Sequence, residues 1–250
     1  MEKLDNFGNN YYITSKRPIN CLIKIDIQDV EKCLNFSYDM SFGATGEHRN
    51  RRSGGQHNRK NGEIFCNTFH GKIAEIALFN YLNNNNLKVD YPDFSIMKLG
   101  EWDSIDLKCN DKNIAVKSTK EYGNLLLLET ADWDAKANYI PNYDNESYNV
   151  DFFVLNRIMP DSTALLKQKR LYYSNVADIE ELKEIILDKN WQIDLVGFST
   201  KEEIKKIIKN EFILPKNAIL NERTKMDAEN YYIQAGDMHI IEDLISILNE

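Results

Sequence analysis

The chain has 250 residues, of which 42% are hydrophobic and 28% are charged, and this composition excludes a wholly disordered or fibrous protein. Its 39 acidic residues outnumber its 31 Lys and Arg, so the net charge of −8 does not by itself indicate nucleic-acid binding. Its apolar runs fall far short of the roughly 20 residues that cross a bilayer, and its four cysteines form no CxxC pair. We therefore expect a cytoplasmic protein without a membrane segment, a disulfide scaffold or a zinc finger.

The first half of the chain alternates helical and extended patterns. Apolar spacing predicts an early helix over 26–38, followed by a long Gly- and Arg-rich loop over 41–62. A second helix is predicted over 71–82 and is ended by the asparagines at 83–86. Short segments rich in β-branched or aromatic residues then predict strands at 87–91, 102–109, 114–119 and 149–158. The polar residues 110–113 are expected to close a hairpin.

The C-terminal part predicts further helices and a strand. Helices are expected over 176–187 and 200–209, and the second has Ser199 or Thr200 as its N-cap with Glu203 in the capping-box position. A strand at 231–234 and a helix from 239 complete the chain. This order of elements is typical of a single α/β or α+β domain.

The segment from His48 to Lys60 is basic although the whole protein is acidic. It contains no Asp or Glu and five cations, namely Arg49, Arg51, Arg52, Arg59 and Lys60. Cations gathered in this way predict contacts with DNA phosphates, while a solvated loop is the alternative interpretation. His48, His57 and His70 lie in or just after the segment without metal-site spacing, so we expect them to contact solvent or DNA rather than zinc.

Asp106 and Lys117 are the residues that best fit phosphodiester chemistry. If Cys109 pairs with Ile114, the hairpin register brings Asp106 directly opposite Lys117. Such hydrolysis needs carboxylates for a divalent cation and a side-chain cation beside the attacking water. Taken alone, however, an Asp opposite a Lys is more often a surface ion pair.

A second carboxylate is needed, and the sequence offers several. The position two residues before Lys117 would suit it, but that residue is Ala115. Glu75 is the preferred candidate because it lies among small and apolar residues of a predicted helix, where a carboxylate needs a reason to be present. Glu121 and Glu129 remain alternatives. Asp93 and Asp103 compete with Asp106 for the first position.

Glu75 on a helix, Asp106 entering one strand and Lys117 on the next resemble the PD-(D/E)XK nuclease superfamily, especially type II restriction endonucleases. The resemblance covers about residues 69–158. It implies a restriction-endonuclease-like core, a mixed central sheet flanked by helices, with additions at 1–68 and 159–250. It also implies Mg2+-dependent cleavage to 5′-phosphate and 3′-hydroxyl ends, with Glu75 and Asp106 as metal ligands and Lys117 beside the nucleophilic water.

The sequence thus predicts a sequence-specific endonuclease for double-stranded DNA. A homodimer is expected because a two-fold symmetric protein matches a palindromic site, and residues 159–250 would supply dimer contacts or target readout. One alternative is a non-catalytic nucleic-acid-binding or interaction module on a degenerate nuclease fold, which Ala115 favours. Another is an RNase or a structure-specific nuclease on the same core.

Overall fold

The structure, a computed structural model, describes residues 1–43, 59–95, 105–142 and 149–250. These ranges form a mixed α+β fold. The helices are α1 (Ile27–Ser41), α2 (Asn61–Asn84), α3 (Ser162–Gln168), α4 (Ile179–Leu187), α5 (Lys201–Lys209) and α6 (Ile241–Leu248). The strands are β1 (Asp5–Phe7), β2 (Asn10–Tyr12), β3 (Leu22–Lys24), β4 (Leu107–Cys109), β5 (Lys112–Lys120), β6 (Leu125–Glu129), β7 (Phe152–Met159), β8 (Gln192–Thr200), β9 (Ile213–Leu214), β10 (Ile219–Leu220), β11 (Thr224–Lys225) and β12 (Asn230–Gln234).

A five-stranded sheet with the order β3-β8-β7-β5-β4 forms the centre of the fold. Strands β5 and β7 are parallel, and the other neighbouring pairs are antiparallel. The middle strand β7 is buried along almost its whole length, which explains its nearly continuous apolar sequence. Because β3 and β8 belong to this sheet, it extends beyond the range 69–158 that the resemblance covers.

The sheet separates two hydrophobic cores. On one face α1, α2, α4 and α6 pack against side chains that include Ile114 and Val116 of β5. On the other face a second sheet, of order β6-β12-β9, and helix α5 pack against side chains that include Ala115 and Phe153. Successive residues of a strand point to opposite faces, so β5 contributes alternately to the two cores. A small sheet of order β1-β2-β10-β11 completes the described structure.

The predicted helices are confirmed, with one large difference in length. Helix α1 matches the prediction, and α5 has the predicted capping box between Thr200 and Glu203. Helix α2 begins ten residues earlier than predicted and has 24 residues, because Phe65 and Phe69 of its first half are completely buried in the core. No helix within the described ranges is both long and apolar enough to cross a membrane.

Two predictions for the strands are wrong. The strand predicted at 87–91 reduces to a single bridge between Val89 and Cys109. The hairpin register also differs, because Cys109 pairs with Lys112 and Leu107 pairs with Ile114. The turn is therefore two residues long, and Asn110 takes the left-handed conformation, with φ 52°, that asparagine tolerates in tight turns. Asp106 consequently lies level with Ala115 rather than Lys117.

Candidate functional site

Asp106 is held where β5 extends beyond the end of its partner β4. The last backbone pair of these strands joins Leu107 to Ile114. At the residue before Leu107, Oδ2 of Asp106 accepts a hydrogen bond of 2.6 Å from the backbone N–H of Val116. The carboxylate therefore takes the place of the backbone carbonyl that a longer β4 would supply, and its position is fixed by the sheet.

Lys117 lies on the same side of the hairpin as the position that Asp106 occupies. It is a half-buried residue of β5, two positions after Ala115, so the side chains of Ala115 and Lys117 emerge from the same face of the sheet. Diagonal neighbours on adjacent strands are typically about 7 to 8 Å apart, a separation that long side chains can span. In the observed register Asp106 and Lys117 are therefore diagonal neighbours rather than direct partners, and they remain on the same face of the sheet.

Ala115 is buried in the core between the two sheets. It is 6% exposed and packs with residues of β6 and β12. A charged side chain at this position would have to enter an apolar environment at a high cost in free energy. The absence of an acid two residues before Lys117 therefore has a structural reason.

Glu75 is buried on α2, which packs against the opposite face of the sheet from Lys117. Its Oε2 lies 2.7 Å from Nζ of Lys72, and the residues are 6% and 8% exposed. Nζ of Lys72 also lies 5.5 Å from the centre of the Phe36 ring of α1, so the Lys72–Glu75 pair lies towards α1. Nothing in these contacts brings Glu75 together with Asp106 and Lys117.

Glu129 and Glu121 are the other two candidates for the second carboxylate. Glu129 is the last residue of β6, which belongs to the same core as Ala115, and it is half-buried opposite Asn230 of β12. Glu121 follows β5 directly and is also half-buried. Of the two, Glu129 lies in the layer covering the face of the sheet from which Lys117 emerges.

Only the end of the predicted basic segment belongs to the described ranges. Lys60 is exposed and precedes α2 as its N-cap residue, and Arg59 is half-buried. Arg49, Arg51 and Arg52 lie outside the described residues, as do His48, His57 and Asp103.

His70 is buried, which corrects the prediction that it contacts solvent or DNA. Its Nε2 lies 2.8 Å from Oγ of Ser162 and 3.9 Å from Oδ1 of Asp161. Oδ2 of Asp161 lies 3.1 Å from Nζ of Lys120. Burial lowers the pKa of His70 to about 4 because the imidazolium would lose its hydration. Ser162 is completely buried, so this group fastens α3 to α2 and its hydroxyl is out of reach of a substrate.

A buried ion pair joins β7 to β8 and was not predicted. Nη1 of Arg157 lies 2.9 Å from Oδ2 of Asp194, and the side chains are 2% and 1% exposed. Oδ1 of Asp194 accepts hydrogen bonds from the backbone N–H groups of Asn20 and Cys21, just before β3. The available signal was a single charged residue within each of two largely apolar segments.

Within the described ranges, no group of three or more His, Cys, Asp or Glu side chains is arranged to hold a metal ion. Magnesium needs fewer protein ligands, since it commonly binds through one or two carboxylates and completes its coordination with water and substrate phosphates. Comparisons of the chain with family models, curated proteins and solved structures found no match.

Proposed function

We propose that this protein is a Mg2+-dependent endonuclease that acts on double-stranded DNA as a homodimer and leaves 5′-phosphate and 3′-hydroxyl ends. The observation that carries this proposal is the carboxylate of Asp106, bound by the Val116 N–H at the end of β4 and level with Ala115, two residues before Lys117 on the same face of β5. A fixed carboxylate and a neighbouring cation are the two side chains that phosphodiester hydrolysis needs most.

The two residues would have different roles. The bond to Val116 engages Oδ2 of Asp106, and Oδ1 is the oxygen that would hold the cation. Lys117 would orient the attacking water and offset the negative charge that develops on the phosphate. Bound Mg2+ would supply Lewis-acid polarisation of the phosphate oxygens.

For the second carboxylate, the layered arrangement favours Glu129 over Glu75. Glu129 belongs to the layer that covers the Lys117 face, whereas Glu75 is paired with Lys72 on the opposite side. The resemblance to PD-(D/E)XK nucleases favours Glu75 instead. Both residues therefore enter the test.

The first experiment removes the central pair. We expect Asp106→Asn and Lys117→Gln each to lower plasmid cleavage in Mg2+ by at least a hundredfold, because they remove a metal ligand and a cation beside the water. Asp111→Asn and Lys112→Gln are matched controls, since they make the same changes at exposed positions of the same hairpin. Full activity of either central variant would refute the proposed site.

A second experiment assigns the missing acid. We expect Glu129→Gln to abolish cleavage and to raise the Mg2+ concentration needed by any residual activity, because a neutral amide is a poorer ligand for a hard cation. We expect Glu75→Gln to change mainly the midpoint of urea unfolding, because it breaks a buried ion pair. The opposite pattern, with only the folded Glu75 variant inactive, would assign the role to Glu75.

One observation favours a second candidate, a nucleic-acid-binding or interaction module without catalysis. Ala115 occupies the usual position of an acid in such sites and is enclosed by the core. Tight binding of duplex DNA without metal-dependent cleavage of DNA or RNA would favour this candidate.

A further inference from the structure

A second basic segment lies at the end of α3 and in the turn that follows. Between Asp161 and Asp178 the chain has three cations and no acid, and these cations are Lys167, Lys169 and Arg170. All three are exposed. Arg170 takes the left-handed conformation with φ 61°, which ends the helical path, and the short 3-10 helix Leu171–Tyr173 follows.

The charge of this segment is not neutralised by its surroundings. Among the residues that the structure describes, no carboxylate forms an ion pair with Lys167, Lys169 or Arg170. The nearest acid in the chain, Asp161, is itself paired with Lys120 at 3.1 Å. In a protein whose net charge is −8, such a segment produces a local positive potential.

An aromatic side chain is exposed beside these cations. Tyr173 is 63% exposed, although a side chain of this size usually buries most of its surface. Nζ of Lys167 lies 4.7 Å from the centre of the Tyr172 ring and 6.0 Å from that of Tyr173. These cation–π contacts hold the lysine along the rings, so part of the surface is ordered in advance of binding.

The same turn is fastened to the beginning of α2. The backbone N–H of Gly62 donates a 3.0 Å hydrogen bond to the carbonyl of Ser174, and Nδ2 of Asn61 donates one of the same length to the carbonyl of Asn175. A Cβ atom on Gly62 would lie only 2.0 Å from the carbonyl oxygen of Leu171, so the close approach requires glycine. Lys60 is thereby placed beside the turn.

We propose that Lys60, Lys167, Lys169, Arg170 and Tyr173 form a basic surface that binds the phosphate backbone of duplex DNA. This inference rests on the proposed function for its choice of DNA. The cations displace counterions from phosphates, and Tyr173 packs against the sugars between them. Lys120 of β5 pairs with Asp161, the N-cap residue of α3, so this surface is anchored to the central sheet on the face opposite to that of Lys117.

The test measures binding separately from cleavage. A fluorescent 20-base-pair duplex is titrated with the full chain in Ca2+ instead of Mg2+, at several salt concentrations. For Lys167→Gln with Lys169→Gln, the slope of log K against log salt should fall by about 1.8, since each lost phosphate contact removes about 0.9. At low salt this corresponds to a loss of affinity of roughly tenfold to a hundredfold.

Lys206→Gln with Lys209→Gln on α5 is the matched control, because it removes two exposed lysines from another helix. Its slope should equal that of the wild type. Equal slopes in all three proteins would overturn the basic surface while leaving a cleavage-competent nuclease intact. If the two substitutions lower the slope for single-stranded DNA or RNA but not for the duplex, the assignment to duplex DNA is overturned. A reduced slope in a protein that never cleaves would support the surface and refute the nuclease.

Discussion

A neutral imidazole is held inside the protein at His70. Burial lowers its pKa to about 4, whereas an exposed histidine in the unfolded chain has a pKa near 6.5. At a pH between these two pKa values, His70 of the unfolded chain binds a proton that it does not bind in the folded protein. The contribution of His70 to the free energy of unfolding is therefore fully present above about pH 6.5 and is lost as the pH falls towards 4.

We expect this loss to be on the order of 3 kcal/mol, because a proton bound only by the unfolded chain lowers stability by roughly 1.4 kcal/mol for each pH unit of the window. Urea unfolding at a series of pH values measures it. His70→Gln keeps a polar group near Ser162 but cannot titrate, so its stability should depend less on pH in this window. Equal pH profiles for the wild type and His70→Gln would contradict the expectation.

The residues of the candidate site differ in how readily the sequence predicts them. Asp106 and Lys117 were selected from a register in which they face each other directly, whereas the observed register places Asp106 level with Ala115 on the same face. The burial of His70 could not be predicted, because its partner Ser162 is 92 residues away in the chain. The preference for Glu75 rested on its apolar neighbours, and the structure explains its presence there by Lys72, three residues earlier on the same helix.

The Arg157–Asp194 pair joins three strands of the central sheet. It links β7 to β8, and Asp194 also binds the backbone just before β3. Replacing Asp194 leaves the charge of Arg157 buried with only the neutral oxygens of Gly123, Arg17 and Asn124 as partners, and loss of one member of a buried ion pair typically costs about 3 to 5 kcal/mol. We therefore expect Asp194→Asn to lower the free energy of urea unfolding by about 3 kcal/mol or more, with β3 the first element to lose protection.

A matched control is available in the exposed pair between Lys183 and Glu180, whose nitrogen and oxygen lie 3.1 Å apart. Glu180→Gln should lower the free energy of unfolding far less than Asp194→Asn, because water screens that pair. Similar costs for the two variants would show that Asp194 does not tie these strands together.

At the scale of elements, the sequence predicts helices and strands better than their ends and register. The first half of α2 contains Gly62, Asn61 and Asn67, which are weak helix formers, and its helical state depends on the burial of Phe65 and Phe69. The hairpin register depended on whether the turn had two or four residues, and both lengths are common. Tertiary packing thus determines where α2 begins, and the left-handed conformation of Asn110 accompanies the two-residue turn.

For the whole molecule, the mixed α+β architecture could be predicted from the order of elements, but the membership of the central sheet could not. Strands β3 and β8 are paired although Leu22 and Asp194 are 172 positions apart. Local patterns carry no information about such pairings. The sequence therefore indicates a core at 69–158, whereas the sheet is completed by strands from outside that range.

The first core also contains side chains from both extremes of the described chain. Val30 and Leu34 of α1 pack in the same cluster as Leu244 and Leu248 of α6. Ribosomes add roughly 5 to 20 residues per second, so about 10 to 40 s separate the synthesis of these two helices. Helix α1 packs mainly against α2, which is made soon after it, but the apolar surface of this core that α6 covers stays exposed until that helix emerges and is prone to aggregation in the meantime.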